Sequence, residues 1–381
     1  MTLTVTNTND AGAGSLRLSI AAAANGDTII FGVPPGSTIT LTSGELAIAT
    51  GLTIQGPGAK LLTISGNANS RIFNVTATNP VSISGLTLVN GKPVGGINGG
   101  GAILLNGGAG APSYTLTGLN ITNNDVTLAG NPLGGGIDNE GGTVTITGST
   151  ISNNTATFRG GGIQNQGFGS MTITNSTIAG NTAGVAGIGG GIRTLVNLTL
   201  SSVTVFGNSA NAGGNVSVSA ATTNLQNTII AGGSLLGGGV TSPDLGGTVN
   251  SQDYNLIQNV SGANVNGTTT HNITGVDPLL APLADRGGST PTMAENTGSP
   301  GVDKGLSAGL TTDQRGLPRP VDLGTIANAA GGDGADIGAF EAQSVVELQV
   351  AATPTLSEFG LFLFALMLAS MAALMLKPRL S

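Results

Sequence analysis

Thr143-Val144-Thr145-Ile146-Thr147-Gly148-Ser149-Thr150-Ile151-Ser152-Asn153-Asn154 is the stretch on which the fold turns. Val144 and Ile146 fall on one side of a period-two alternation, and Thr143, Thr145 and Thr147 fall on the other. Such alternation marks a half-buried strand, because successive side chains of an extended chain point to opposite faces. A polar corner, Gly148-Ser149, leads into a second short strand around Ile151, and Asn154 follows three residues later.

The same phrase occurs along the chain. It stands at Ser82-Ile83-Ser84-Gly85-Leu86-Thr87-Leu88, at Thr115-Leu116-Thr117-Gly118-Leu119-Asn120-Ile121 and at Thr172-Ile173-Thr174-Asn175-Ser176-Thr177-Ile178. It returns at Thr199-Leu200-Ser201-Ser202-Val203-Thr204-Val205 and at Asn224-Leu225-Gln226-Asn227-Thr228-Ile229-Ile230. Successive copies are 33, 30, 27, 27 and 25 residues apart. Asparagine holds one place in four of them, as Asn124, Asn154, Asn181 and Asn208. Glycine clusters follow (Gly134-Gly135-Gly136, Gly160-Gly161-Gly162, Gly189-Gly190-Gly191), each directly before an isoleucine: Ile137, Ile163 and Ile192.

One such unit cannot bury its apolar side alone, whereas stacked units bury a continuous core. The expected fold is therefore all-β: a right-handed parallel β-helix with a short N-terminal capping helix. Its coils would lie about 4.8 Å apart, and roughly eight or nine of them would span about 40 Å. Aligned asparagines would form an amide ladder at the bends. The leucine spacing and the lack of a helix per unit exclude a leucine-rich repeat, and absent tryptophan argues against a propeller.

Composition agrees. Glycine reaches 65 of 381 residues, cysteine and tryptophan are absent, and 12 basic residues stand against 19 acidic ones, a net charge of −7. Low charge with abundant Val, Ile and Thr favours ordered β-structure over disorder. Sparse, scattered cations exclude a nucleic-acid partner, and a cysteine-free chain has neither disulfides nor thiolate metal sites.

The repeats resemble the pectate-lyase-like right-handed β-helix superfamily, a likeness of architecture more than of activity. The ends carry further resemblances. Residues 1–27 read as a cap, with a helix over 16–24 started by Ser15 and stopped by Gly26, before the first strand Thr28-Ile29-Ile30-Phe31. This opening resembles that of exported bacterial β-helix proteins. Residues 28–271 form the repeats. Residues 272–341 break the rhythm with Asp277-Pro278-Leu279-Leu280, Gly287-Gly288-Ser289-Thr290-Pro291, Gly298-Ser299-Pro300-Gly301-Val302-Asp303, Thr312-Asp313-Gln314-Arg315-Gly316 and Ala335-Asp336-Ile337-Gly338-Ala339-Phe340-Glu341. Together these resemble a choice-of-anchor Q domain.

After a linker at 342–352, residues 353–381 carry Pro354-Thr355-Leu356-Ser357-Glu358, an uncharged, mostly apolar run over 359–376, then Lys377 and Arg379. This resembles an IPTL-CTERM sorting signal. The resemblance implies bacterial sorting machinery as a partner and one transmembrane helix with its basic end in the cytoplasm. Envelope or surface location is the expectation. An N-terminal export signal is expected upstream, because Met1-Thr2-Leu3-Thr4-Val5 begins in mature-looking sequence.

For chemistry, aligning the units on their glycine clusters puts Asp138, Gln164 and Arg193 in one outward column. Glu140 and Gln166 fall in the next, which ends at Leu195, and Arg159 lies at the corner before. Carboxylate, amide and guanidinium groups in a row suit a hydroxyl-rich polysaccharide or matrix. The plain alternative is ordinary surface polarity, which is favoured on base rates. The functional expectation is a non-enzymatic binding, adhesion or structural module, with a polysaccharide lyase or glycoside hydrolase using residues 138–193 as the alternative. A self-associating surface component is a third class, because sheet faces and stack ends can pair.

No complete catalytic motif is present. Asp138 and Glu140, two apart on a strand, would lie about 6–7 Å apart, a spacing that fits either hydrolase geometry or neither. Gly305-Leu306-Ser307-Ala308-Gly309 matches a nucleophile elbow by coincidence, because the single histidine, His271, precedes the serine. No cofactor is expected. A lone calcium-type phrase, Gly331-Gly332-Asp333-Gly334-Ala335-Asp336-Ile337, would offer Asp333 and Asp336 to Ca²⁺, but reads more simply as a polar glycine turn.

Overall fold

A computed structural model of the chain describes residues 1–94, 99–108, 110, 112–127, 133–219, 222–238 and 242–344. They form an all-β parallel solenoid of the right-handed type, with about nine turns. Each full turn lays one strand on each of three main faces, and five turns add a two-residue strand, such as Thr155–Ala156, to a short fourth ladder. In the central turn these are Thr143–Thr147 on the first sheet, Thr150–Ser152 on the second and Ile163–Asn165 on the third. Every coil pairs in parallel with the next. Val144 aligns with Met171, Ile151 with Ile178, and Ile163 with Ile192.

The alternation reads out as expected. Val144 and Ile146 are buried while Thr143 and Thr145 are exposed. One continuous core runs from Val5 through Ile54, Ile83, Ile146 and Ile173 to Ile257. The corner between the first and second sheets takes the left-handed conformation at Gly118, Gly148, Asn175, Ser202 and Asn227. Gly160, at the corner entering the third sheet, has φ +61°, and a Cβ there would fall 2.4 Å from the Ile163 carbonyl oxygen, so only glycine fits.

The asparagines stack. The Asn124 Nδ2 donates to Asn154 Oδ1 at 2.8 Å, Asn154 to Asn181 at 2.9 Å and Asn181 to Asn208 at 2.9 Å. Each Oδ1 also accepts the backbone N–H of the preceding asparagine in the ladder. In the next coil the rung is Gly233, and the ladder continues by substitution. Asn208 Nδ2 donates to Asn215 Oδ1 at 2.8 Å, and Asn215 Nδ2 to Asp244 Oδ1 at 2.8 Å, which also takes the Gly233 N–H. A second internal ladder links Asn139, Asn165 and Thr194 at 2.9 and 3.0 Å.

The ends differ from the sequence expectation. The helix covers Leu16–Ala22, capped by Ser15, and stops two residues early because Ala24 N–H is drawn to Asp27 Oδ2 at 2.9 Å. The capping segment also supplies a rung, since Thr2–Val5 pairs with Asp27–Phe31. Residues 277–342 hold only isolated antiparallel bridges and a small core of Ala281, Ala294, Val302, Leu323, Phe340 and Ala342.

That region lies along the outer face of the second sheet. The Gln314 Nε2 donates to Thr150 Oγ1 at 3.0 Å and its Oε1 accepts from Thr177 Oγ1 at 2.6 Å, while Ala339 N–H donates to Thr204 Oγ1 at 3.0 Å. Asn175 and Asn227 clasp it at the corner, donating to the Thr312 and Asp336 carbonyls at 2.8 and 2.9 Å. Thr150, Thr177 and Thr204, outward on this sheet, are consequently buried. Within the region, buried Arg319 pairs with Glu341 at 2.8 Å and Arg315 with Asp313 at 2.8 Å. Among the described residues no helix is long and apolar enough to cross a membrane, and the sorting phrase with its apolar run lies outside them.

Candidate functional site

The third sheet carries the candidate site. Its strands Ile137–Gly141, Ile163–Asn165, Ile192–Thr194 and Val216–Val218 stack in register. Ile137, Ile163, Ile192 and Val216 enter the core, which turns Asp138, Gln164, Arg193 and Ser217 outward in one column. The column expected from the sequence therefore exists. It also extends further, since Asn74 occupies the same position two coils earlier, separated from Asp138 by Leu104.

Its surroundings are not those of an open surface. Asp138 and Gln164 have 0% exposure and Arg193 only 6%, while Glu140, Gln166 and Arg159 are half-buried. The expected exposed strip is thus corrected to an overlain one. Gly99 presses on Asp138, for a Cβ there would fall 1.9 Å from Asp138 Oδ2, with the Leu133 oxygen 2.3 Å from the same point. Alignment on glycine clusters identifies the side of the sheet. It says nothing of which distant residues approach that side, as Gly99 does.

Arg71, Glu45 and Asn74 complete the site and were not singled out from the sequence. The fully buried Arg71 guanidinium donates to Glu45 Oε2 at 2.7 Å and to the carbonyls of Gly99 and Gly100 at 2.9 to 3.2 Å. Asn74 Nδ2 holds the other Glu45 oxygen at 2.6 Å. Their coils lack a glycine triplet, so the motif used for alignment could not reach them; the period-two match of Phe73-Asn74-Val75 to Ile103 was the available signal. A 180 Å³ hollow lined by Glu45, Ser70, Arg71 and Val94 opens beside this end.

Burial pushes the Asp138 carboxyl well above the usual carboxylate range, and Glu140 adds to it against the pull of Arg71 and Gln166. Glu140 is raised by burial too. Burial lowers Arg193, and Arg159 beside it acts in the same direction. Internal bonding along the column is loose: Gln166 Nε2 to Asp138 Oδ1 and Gln164 Nε2 to Gln166 Oε1 are both 3.4 Å, at the long limit for such bonds. Eleven buried side-chain polar atoms among the described residues lack a hydrogen-bond partner. Five belong here: Asn74 Oδ1, Asp138 Oδ2, Gln164 Oε1, Arg159 Nε and Arg193 Nε.

The other residues raised by the sequence lie apart. Asp333 and Asp336 bond to different partners. Asp333 accepts from Ser307 N–H and Oγ, whereas Asp336 accepts from the N–H groups of Asp303 at 2.8 Å and Ala342 at 2.7 Å. Donors of this folded region thus hold both carboxylates, as in the polar glycine turn the sequence favours. Among the described residues no group of three His, Cys, Asp or Glu side chains could hold a metal. Ser307 bonds Asp333 while His271 Nδ1 bonds Asp253 Oδ2 at 2.7 Å and stacks on Tyr254, so the elbow-like phrase has no histidine hydrogen-bonded to its serine.

No family model matches the chain, nor does any curated protein. Among solved structures it is similar to the crystal structure of pectate lyase Pel9A, at 13% identity over 89% of this chain and 96% of that one, with a TM-score of 0.45.

Proposed function

We propose that the chain is a non-enzymatic, envelope-displayed module whose third-sheet face binds polysaccharide. The observation that carries this is the row of unmet hydrogen-bonding atoms on Asp138, Gln164 and Arg193, set at coil spacing along the solenoid axis, with Asn74 beyond Leu104. Buried polar atoms are nearly always paired, so a run of exceptions in one place leaves donors and acceptors for a partner. Hydroxyl groups of an extended glycan, which both donate and accept, suit a row that mixes carbonyl oxygens with guanidinium N–H groups. Its entrance is the half-buried rim of Glu140, Arg159 and Gln166.

Binding is favoured over lyase or hydrolase chemistry because burial raises both Asp138 and Glu140, whereas a catalytic carboxyl pair needs one group kept ionised beside one kept protonated. Residues 359–376 with Lys377 and Arg379 supply the proposed tether, and residues 272–341 the proposed anchor-type region. The test incubates the full chain with neutral and acidic polysaccharides. Retention without new reducing or unsaturated ends supports the reading, whereas chain cleavage that is lost in Asp138→Asn replaces it with the enzymatic one. Removing residues 353–381 should release the protein from membranes; continued membrane association would refute the tether.

A further inference from the structure

Charge along the third-sheet face is not evenly used. Ten basic side chains lie among the described residues, and six hold a carboxylate: Arg17, Lys60, Arg71, Lys92, Arg315 and Arg319. Lys304 and Arg286 donate to backbone carbonyls. Arg159 and Arg193 have neither an acidic partner nor a carbonyl, yet they sit together on neighbouring coils, close enough to repel one another. In a chain of net charge −7, two cations side by side without a counter-charge are an unfavourable arrangement unless something outside neutralises them.

The surroundings hold these cations in place. The Arg193 Nη1 and Nη2 donate to Ser217 Oγ at 3.0 Å and Ser219 Oγ at 2.7 Å, leaving its buried Nε unpaired. The Arg159 guanidinium lies over the Phe158 ring at 4.6 Å, with its Nε also unpaired. Gln164 Oε1 in the same column adds a further unmet atom. Among the described residues Asp138 makes no ion pair with either cation, standing one coil from Arg159 and two coils, about 10 Å, from Arg193 in the register.

We infer that Arg159 and Arg193 form an anion subsite that takes a carboxylate or sulfate group carried on the bound glycan, with Arg159 at the mouth and Arg193 at the floor. The inference rests on the polysaccharide reading of this face and names the ligand class. Guanidinium groups offer paired N–H donors that match planar carboxylates and sulfate alike, and Ser217 and Ser219 fix one of the two forks in advance.

The test is a titration of the full chain with hyaluronan (carboxylate only), dextran sulfate (sulfate only), neutral laminarin and inorganic sulfate, at low and high salt. The subsite predicts that at least one acidic polymer binds about tenfold or more tightly than laminarin, and that this margin shrinks as salt rises. Which polymer it is identifies the anion. Arg159→Gln, at a half-buried position where folding is readily checked by its melting curve, should erase the margin, and Arg159→Lys should keep part of it.

Equal binding of acidic and neutral polymers, or an unchanged margin in Arg159→Gln, overturns the subsite and leaves the polysaccharide reading standing. Binding of inorganic sulfate that is lost in Arg159→Gln, with no polymer bound, keeps the subsite and overturns the polysaccharide reading. No binding in any arm overturns both.

Discussion

The second and third sheets both turn polar columns outward, and both columns are buried, yet their polar atoms meet different ends. On the second sheet Thr150, Thr177 and Thr204 are covered by residues 277–342, and each hydroxyl is met by Gln314, Thr292, Pro291 or Ala339. On the third sheet Asp138, Gln164 and Arg193 are overlain as well, but one atom of each lacks a partner. The lesson is that burial alone does not separate structure from function. A face whose donors and acceptors are consumed by its own chain is packing, and a face that leaves some of them unmet is where the proposed binding is placed.

The largest expected effect lies on the consumed side. Arg319→Ala removes the cation from Glu341 and leaves a buried carboxylate group of Glu295, Asp336 and Glu341 without its counter-charge. Breaking such a buried pair should cost about 4 kcal/mol, measured by denaturant unfolding. A loss below about 1 kcal/mol would mean the region contributes little to the fold.

Gln314→Ala comes next, because one side chain serves Thr150, Thr177, Thr290 and Pro291. Loss of about 2 kcal/mol is expected, with faster hydrogen exchange on the second sheet and none of that change on the third. Equal acceleration on both faces would dissolve the contrast between them.

Acidity should act in one direction on both faces. Burial, followed by Glu341, pushes Asp336 up to about 7, and burial raises Asp138 and Glu295 as well. A carboxyl whose folded value lies above its unfolded value, about 4, binds more protons in the folded state between the two. Its contribution is fully present below about pH 4 and is lost as pH rises through the folded value, so for Asp336 the melting temperature should fall from pH 4 to 7. Asp138→Asn should reduce this slope, and an unchanged slope would show that Asp138 does not take part.

The smallest effect belongs to Gln164→Leu. Its Oε1 is unpaired and its one side-chain bond is 3.4 Å long, so the change should stay within about 1 kcal/mol of neutral while weakening polysaccharide binding. A large destabilisation would mean that this column is structural after all.

Much of this could be read in the chain. The alternation around Val144 and Ile146, the equal place of Asn154, Asn181 and Asn208, and the glycine before Ile163 identify strand, ladder and corner. Each reports a local preference repeated at the coil length. The register of Asp138, Gln164 and Arg193 follows from the same repetition. The replacement of a ladder rung at Gly233 by Asn215 and Asp244 did not show, because it exchanges one position for another at a different corner. Arg71 did not show either, since it lies in a unit without the glycine motif and touches residues 26 to 29 positions away.

Repetition in the sequence by itself determined the solenoid, its inward residues and the side of the third sheet on which the polar column stands. Only the tertiary structure decided what lies over each outward face. Period and propensity act within a few residues of the chain. The covering of Thr177 by Gln314, or of Asp138 by Gly99, joins segments that stand 137 or 39 residues apart, and no local pattern carries that distance.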